Sequence, residues 1–354
     1  MGGDTRPVRP GEELDWPRLE AWLRERLRAS DSVRLDPHER MQVAQFPGGH
    51  SNLTYHVRVG STELVIRRPP FGPVPPTAHD MAREYRWLSA VHSVYPLAPR
   101  VYALCEDPAI VGSVFYVMER RHGLVVRHQE PPAISNRPDV RRHVSLALID
   151  ALADLHAIDI AAAGLAHLGK PLGFVERQVR GWTDRWNGSK TSELPEMETL
   201  ASWLVESLPP NPERPAIVHG DFKLDNLMLD EADPSRVVAV FDWEMAALGD
   251  PLVDLGILLA YWGANASPAH RDSLTTVTTL PGWLTARELV DRYAARTNRD
   301  LTRLKFFEVF ALFKVAVVIQ QIYARFVKGQ TEDPRFANFG ERVAYLAQRA
   351  VSLL

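Results

Sequence analysis

Hydrophobic spacing changes period twice along the chain, and each change predicts a different kind of structure. Behind Asp15, whose carboxylate can cap free helix amides, Trp16, Leu19, Leu23 and Leu27 recur every three or four residues and predict an amphipathic helix. The period then falls to two. Met41 to Phe46, Leu53 to Val59 and Glu63 to Arg67 are short β-rich runs, and Leu53, Tyr55, Val57 and Val59 share one side of the middle one, as expected of an antiparallel sheet. A helix follows, begun by Thr77 and Asp80 in a capping-box-like arrangement with Asp in place of Glu or Gln, and carrying Met81, Glu84, Leu88 and Val91 on one face. Strands over Arg100 to Cys105 and Ser113 to Met118 complete the sheet. After the polar connection Glu119-Arg120-Arg121-His122-Gly123, helical spacing returns: a stripe of Val144, Leu148, Ala151 and Leu155 within Asp139 to Ile158, then Leu252 to Trp262, then the apolar run Phe306 to Ile322. The predicted architecture is α+β and bilobal. A helical extension covers residues 1–35, a small antiparallel-sheet lobe 36–119 and a mostly helical lobe 120–354, with Glu119 to Gly123 as the hinge.

Composition narrows the classes. With 354 residues and 45% hydrophobic content the chain can bury two lobes, and a formal net charge of −3 argues against bulk nucleic-acid binding. The single cysteine, Cys105, excludes a disulfide framework and a cysteine-based metal site, and a reducing cytoplasm is the expected compartment. Met1 to Arg6 lacks an apolar signal-peptide core and places Arg6 where a myristoylation motif has Ser or Thr. Glu308 and Lys314 interrupt Phe306 to Ile322, which predicts a buried core helix and no membrane span. The Pro- and Glu-rich stretch Glu193 to Pro215 reads as a surface insertion. No pattern fixes an oligomeric state.

The candidate chemistry lies in two segments. In Ile217-Val218-His219-Gly220-Asp221-Phe222-Lys223-Leu224-Asp225-Asn226, Asp221 precedes Asn226 by the spacing of the kinase pattern H-R-D-x-x-x-x-N, in which Asp accepts the hydroxyl proton and Asn ligates metal. Gly220 stands where that pattern has Arg. Downstream, the apolar run Val238-Ala239-Val240-Phe241 ends in Asp242, a carboxylate leaving a buried strand as the metal-binding Asp of kinases does, with Trp243-Glu244 in place of Phe-Gly. Asp and Asn are common turn formers, so His-Gly-Asp alone is a weak signal. The joint pattern of lead-in strand, base, amide and second strand ending in a carboxylate is specific for phosphoryl transfer with Mg²⁺.

With these residues the chain resembles the aminoglycoside phosphotransferase and choline kinase superfamily, small-molecule kinases with a protein-kinase-like fold. His219 to Asn226 and Phe241 to Glu244, with Arg177-Gln-Val-Arg-Gly-Trp182 and Trp186, are most similar to the phosphotransferase domains of acyl-CoA dehydrogenase family members 10 and 11. The resemblance runs from about residue 40 to the C-terminus. It implies Asp221 and Lys223 as catalytic residues, Asn226 and Asp242 as Mg²⁺ ligands, ATP or GTP as donor and a small-molecule hydroxyl as acceptor. It also implies that Asp254 braces the catalytic-loop backbone. For Lys223 an exposed, solvated lysine is the competing reading. Asp250 reads as a helix cap, and His156 reads as a capping or core histidine.

On the donor side, Pro47-Gly48-Gly49-His50-Ser51-Asn52 suits close approach of backbone amides to phosphate, although a hairpin turn also wants glycine. The resemblance assigns Gly48, Gly49, Ser51 and Asn52 to the nucleotide. Arg67 stands where kinases carry a phosphate-holding lysine, and Glu84, a carboxylate on an apolar helix face, wants a cation. Two readings stand: an Arg67–Glu84 pair at the nucleotide phosphates, or two solvated side chains. By resemblance, backbone groups of Met118, Glu119 and Arg120 meet the adenine edge.

The acceptor is the thinnest part. From Gly263 to Leu354 there are 13 Arg or Lys against 8 Asp or Glu, a balance of +5 that favours an anionic acceptor, and the resemblance implies a hydroxyacyl-CoA. Part of the excess is helix surface around the Thr285-x-x-Glu288 capping box. An aminoglycoside or amino-alcohol kinase and a nucleotide-binding pseudokinase lacking the strand lysine are the alternatives; a protein kinase would need an Ala-Pro-Glu-like segment that does not follow Asp242.

Overall fold

The computed structural model describes residues 4–28, 32–47, 52–72, 79–263, 277–331 and 333–354. Gly48, Gly49, Ser51 and Thr77 lie outside the described residues. The chain divides into two compact units, Met1–His122 with Ala239–Met245, and Gly123–Val238 with Ala246–Leu354.

The first unit carries a five-stranded antiparallel sheet. Its strands are β1 (Met41–Gln45), β2 (Leu53–Val59), β3 (Thr62–Arg68), β4 (Val101–Cys105) and β5 (Phe115–Glu119), in the order β1-β2-β3-β5-β4. Tyr55, Val57 and Val59 of β2 are buried on the face predicted from their alternation, in one core with Leu19, Leu23 and Leu27 of the N-terminal segment. That segment forms α1 (Trp16–Arg26), capped by Asp15, whose carboxylate accepts from the Arg18 amide. Trp16 and Trp22 meet Tyr55 and Phe115 edge to face, with ring centroids 5.5 and 4.9 Å apart. The N-terminal helix therefore completes the sheet's core. Asp80 is itself the N-cap of α2 (Met81–Val91), and Met81, Glu84, Trp87, Leu88 and Val91 form its buried face.

The second unit is mostly helical: α3 (Pro138–Ala157), α4 (Phe174–Ser189), α5 (Pro195–Glu206), α6 (Leu252–Tyr261), α7 (Ala286–Thr297), α8 (Leu304–Val327) and α9 (Phe339–Val351). Short strands β6 (Ala216–Val218) and β9 (Ala247–Gly249) pair antiparallel, and β7 (Leu227–Leu229) pairs with β8 (Val237–Val240), whose last two residues belong to the first unit. Gly123, the glycine of the predicted hinge, opens this unit against β7. A Cβ there would stand 2.3 Å from the Leu229 carbonyl oxygen, so only glycine fits.

Helix α5 corrects the reading of Glu193 to Pro215 as a surface insertion. Pro195 sits in the first turn, where its missing amide costs nothing, Glu196 and Glu198 complement the N-terminal dipole, and Met197, Leu200, Ala201 and Leu204 are buried. Helix α8 is long and apolar enough to cross a membrane by composition, yet 72% of its apolar window is buried, and it packs against α4, α5, α6 and α9. It is the core helix of this unit, as the interrupting Glu308 and Lys314 predict.

Candidate active site

Strand β6 is wholly buried and delivers the chain to His219, Gly220 and Asp221. Gly220 has φ +83°, a conformation that suits glycine and explains why this position does not carry the Arg of the protein-kinase pattern. Asp254, on the first turn of α6 and fully buried, accepts the His219 amide at 2.6 Å and the Gly220 amide at 2.7 Å. It does what the resemblance implied. Behind it, the buried His156 approaches the same carboxylate at 3.2 Å and the Tyr293 hydroxyl at 2.7 Å. Burial lowers the His156 pKa, against the pull of Asp254, so the ring is neutral and bridges hydroxyl to carboxylate. It is a core histidine that stiffens the loop's support.

Around Asp221 the predicted residues converge. Lys223 Nζ lies 2.8 Å from Asp221 Oδ2 and 4.7 Å from the centre of the Tyr261 ring. Asn226 Nδ2 donates to the Asp221 carbonyl at 2.8 Å and to its carboxylate at 3.0 Å, which turns the amide oxygen away from that carboxylate. Burial works against ionisation of Asp221, but Lys223, Lys314 and His219 together outweigh it and hold the carboxyl below its ordinary value. Burial likewise opposes the Lys223 charge, and Asp221 reverses the effect and raises its pKa. Lys223 is therefore no solvated lysine; it is ion-paired to Asp221.

The first unit gathers a second set. Arg67 Nε lies 3.0 Å from Glu84, which is only 1% exposed, and its Nη2 lies 2.5 Å from Asp242. The pair expected from the apolar face of α2 is present, and the guanidinium also holds the carboxylate predicted to bind metal. Asp242 itself has φ +70°, a left-handed conformation that Asp tolerates better than most residues. Trp243, fully buried, donates from Nε1 to the Val240 carbonyl at 2.8 Å, and Val240 in turn bonds the Leu97 carbonyl. Asn52 donates to Glu244 at 3.0 Å, while its own buried amide oxygen has no hydrogen-bond partner among the described residues. Met118 is buried in β5, and the Glu119 amide is committed to the Arg100 carbonyl, so it is not the donor for an adenine ring. The Arg120 side chain turns to Asp4 and the Phe46 ring.

Glu244 was not singled out by its sequence. Burial, reinforced by Asp242 and Glu84 and opposed by Arg67, raises its pKa from 4.5 to about 7. Because the folded value lies above the unfolded one, the folded state holds an extra proton between about pH 4.5 and 7, and stability falls as pH rises through that window. Glu244→Gln, neutral throughout, should raise the melting temperature at pH 8 and leave it nearly unchanged at pH 4.5. The gain is bounded by about 3 kcal/mol at about 1.4 kcal/mol per unit. Thermal unfolding at the two pH values measures it, and identical melting at pH 8 would contradict it.

No group of three His, Cys, Asp or Glu side chains with metal-binding geometry occurs among the described residues. Taken singly, the amide oxygen of Asn226 in the second unit and the carboxylate of Asp242 in the first are hard-oxygen donors of the kind Mg²⁺ takes, and Mg²⁺ typically completes its shell with substrate phosphates and water. The +5 window is partly neutralised from outside it: Arg292 lies 2.7 Å from Asp150, and Arg296 pairs with Asp154 at 2.5 Å. Both acids belong to α3.

Comparison with known proteins agrees with this geometry. The family model of the phosphotransferase enzyme family (APH) matches residues 42–307. The chain is 33% identical to acyl-CoA dehydrogenase family member 11 of Rattus norvegicus over 354 residues, 99% of this chain and 44% of that protein. It is 32% identical to acyl-CoA dehydrogenase family member 10 of Mus musculus, over 98% of this chain and 32% of that protein. The chain thus spans less than half the length of these relatives. A crystal structure from Ralstonia eutropha JMP134, assigned to the aminoglycoside phosphotransferases, superposes with a TM-score of 0.79 at 30% identity, covering 96% of this chain and 98% of that one. The aminoglycoside phosphotransferase APH(4)-Ia, solved as a ternary complex with ADP and hygromycin B, shares the fold at a TM-score of 0.58 and 15% identity, over 88% of this chain and 94% of that one. An ion-paired carboxylate, its lysine and an amide on a braced loop, in a chain matched over most of its length by one family, lead to one assignment: the chain belongs to the phosphotransferase enzyme family and has its α+β, protein-kinase-like fold.

Proposed function

We propose that the protein transfers the γ-phosphoryl group of ATP or GTP to a hydroxyl of a small anionic acceptor, a hydroxyacyl-CoA. The observation that carries the reading is the Asp221 constellation, in which one carboxylate is held ionised by Lys223 and oriented by Asn226. A carboxyl held below its ordinary value is a weak base. Its task is to orient the acceptor hydroxyl and take the proton late, which suits a loose transition state in which little proton transfer precedes bond cleavage. Lys223 neutralises charge on the migrating group. Asn226 and Asp242 would be the residues that hold Mg²⁺, which would supply neutralisation of the nucleotide's phosphate oxygens. Arg67, fixed by Glu84, grips the donor phosphates in place of a lysine, and Asn52 contributes to the same donor site.

ADP in one structural neighbour and AMP-PNP in another support a nucleotide donor, and GDP in a third keeps GTP open. The acyl-CoA dehydrogenase names of the longer relatives support a thioester acceptor. The test compares kcat/KM for 3- and 4-hydroxyacyl-CoA esters, kanamycin and choline under saturating ATP and Mg²⁺. The thioesters should exceed the cations by at least about tenfold, the scale of one favourable recognition contact. Efficient phosphorylation of kanamycin with inert thioesters would overturn the acceptor and leave the Asp221 chemistry standing.

A further inference from the structure

Lys314 is the one basic residue in the middle of the apolar helix α8, and it is 6% exposed. A lysine there loses hydration that an apolar residue would not miss, so its retention calls for a specific partner. The partner is the Gly220 carbonyl, which accepts a hydrogen bond from the Lys314 ammonium. The ammonium also lies 5.3 Å from the centre of the Trp182 ring on α4. Gly220 is therefore held at both polar backbone atoms by opposite charges, its amide by Asp254 of α6 and its carbonyl by Lys314 of α8. The Gly220 carbonyl and the Asp221 amide share one peptide plane, so fixing the carbonyl fixes the direction in which Asp221 leaves the loop. The charge reaches the base as well, since Lys314 is among the groups that favour the Asp221 carboxylate.

We propose that Lys314 is a positioning residue for Asp221, clamping the Gly220–Asp221 peptide against the pull of Asp254 so that the base keeps one orientation. This rests on the reading of Asp221 as the base. Burial lowers the Lys314 pKa to about 8, against the opposing effect of Asp221 and Asp254, and the group remains mostly charged at neutral pH. A purely structural role is a poor account of it, because replacing a buried charge by an apolar side chain of similar volume is often neutral for stability or favourable.

The test compares wild type with Lys314→Met, which removes both charge and donor, and Lys314→Gln, which keeps a donor without charge. Deuterium exchange of the peptide covering residues 217–227, nucleotide affinity by calorimetry, melting temperature and steady-state kinetics are read on all three proteins. In Lys314→Met the loop should exchange at least about tenfold faster and kcat should fall about 100-fold, the cost of a misplacement of about 1 Å. KM and nucleotide affinity should stay within about threefold, and Lys314→Gln should recover part of kcat. Wild-type loop exchange and kcat in Lys314→Met would overturn the proposal. So would a general rise in exchange across α6 and α8 in both variants, which would mark Lys314 as a packing residue. Should wild type transfer phosphate to no acceptor, the kinase reading fails, while loop exchange still decides whether the clamp exists.

Discussion

Asp221→Asn should abolish turnover, lowering kcat by at least about 1,000-fold while nucleotide affinity stays near normal. Asn fills the same volume and can still accept from Lys223 and Asn226, which sit 2.8 and 3.0 Å from the carboxylate, so the loop should keep its shape. What it loses is the negative charge that receives the proton. Loss of kcat at constant nucleotide affinity is the signature of an interaction made in the transition state. Asp242→Asn provides the contrast: it also tolerates the left-handed φ of +70° but removes the charge proposed to bind Mg²⁺, so Mg²⁺-dependent nucleotide affinity should fall as well. Calorimetry with and without Mg²⁺ separates the two. Full turnover by Asp221→Asn would remove the assignment of the base.

Arg67→Met should produce the largest loss of stability among single changes at the candidate site. It leaves Glu84, 1% exposed, without its cation, and an uncompensated buried charge costs about 3–5 kcal/mol. Burial already pushes the Glu84 pKa up, with Arg67 as the main opposing influence, so the variant should relieve part of the cost by taking up a proton. Glu84→Gln in the same chain should recover most of the stability, because the shared interaction is lost only once. Urea unfolding of the two single variants and the double variant closes the cycle. Additive losses would show that Arg67 and Glu84 act separately.

How much of this was legible in the sequence differs residue by residue, for physical reasons. The meeting of Asp221 and Asn226 was legible because the spacing of the kinase-like pattern returns an amide to the carboxylate five residues before it. The Arg67–Glu84 pair was legible because a carboxylate on an apolar helix face must find a cation. Helix α5 was misread, since Pro195, Glu196 and Glu198 suggest a connection when taken as composition and a helix start when taken by position. The contact of Arg67 with Asp242 joins positions 175 residues apart and left no periodic trace. Lys314 did leave one: a lone lysine in an apolar helix signals a buried carbonyl or carboxylate partner as strongly as it argues against a membrane span. Lys223 stood open between a solvated and a catalytic lysine, and only its 2.8 Å contact with Asp221 resolves its pairing.

The most direct measurement of the central claim is a ³¹P NMR time course of the wild-type protein with ATP, Mg²⁺ and a 4-hydroxyacyl-CoA, run beside Asp221→Asn. The account predicts loss of the γ-phosphate signal and stoichiometric growth of a new phosphomonoester resonance on the acceptor with wild type, and neither with the variant. ATP unchanged in the presence of every acceptor class, or the same phosphomonoester formed at the same rate by Asp221→Asn, would contradict it.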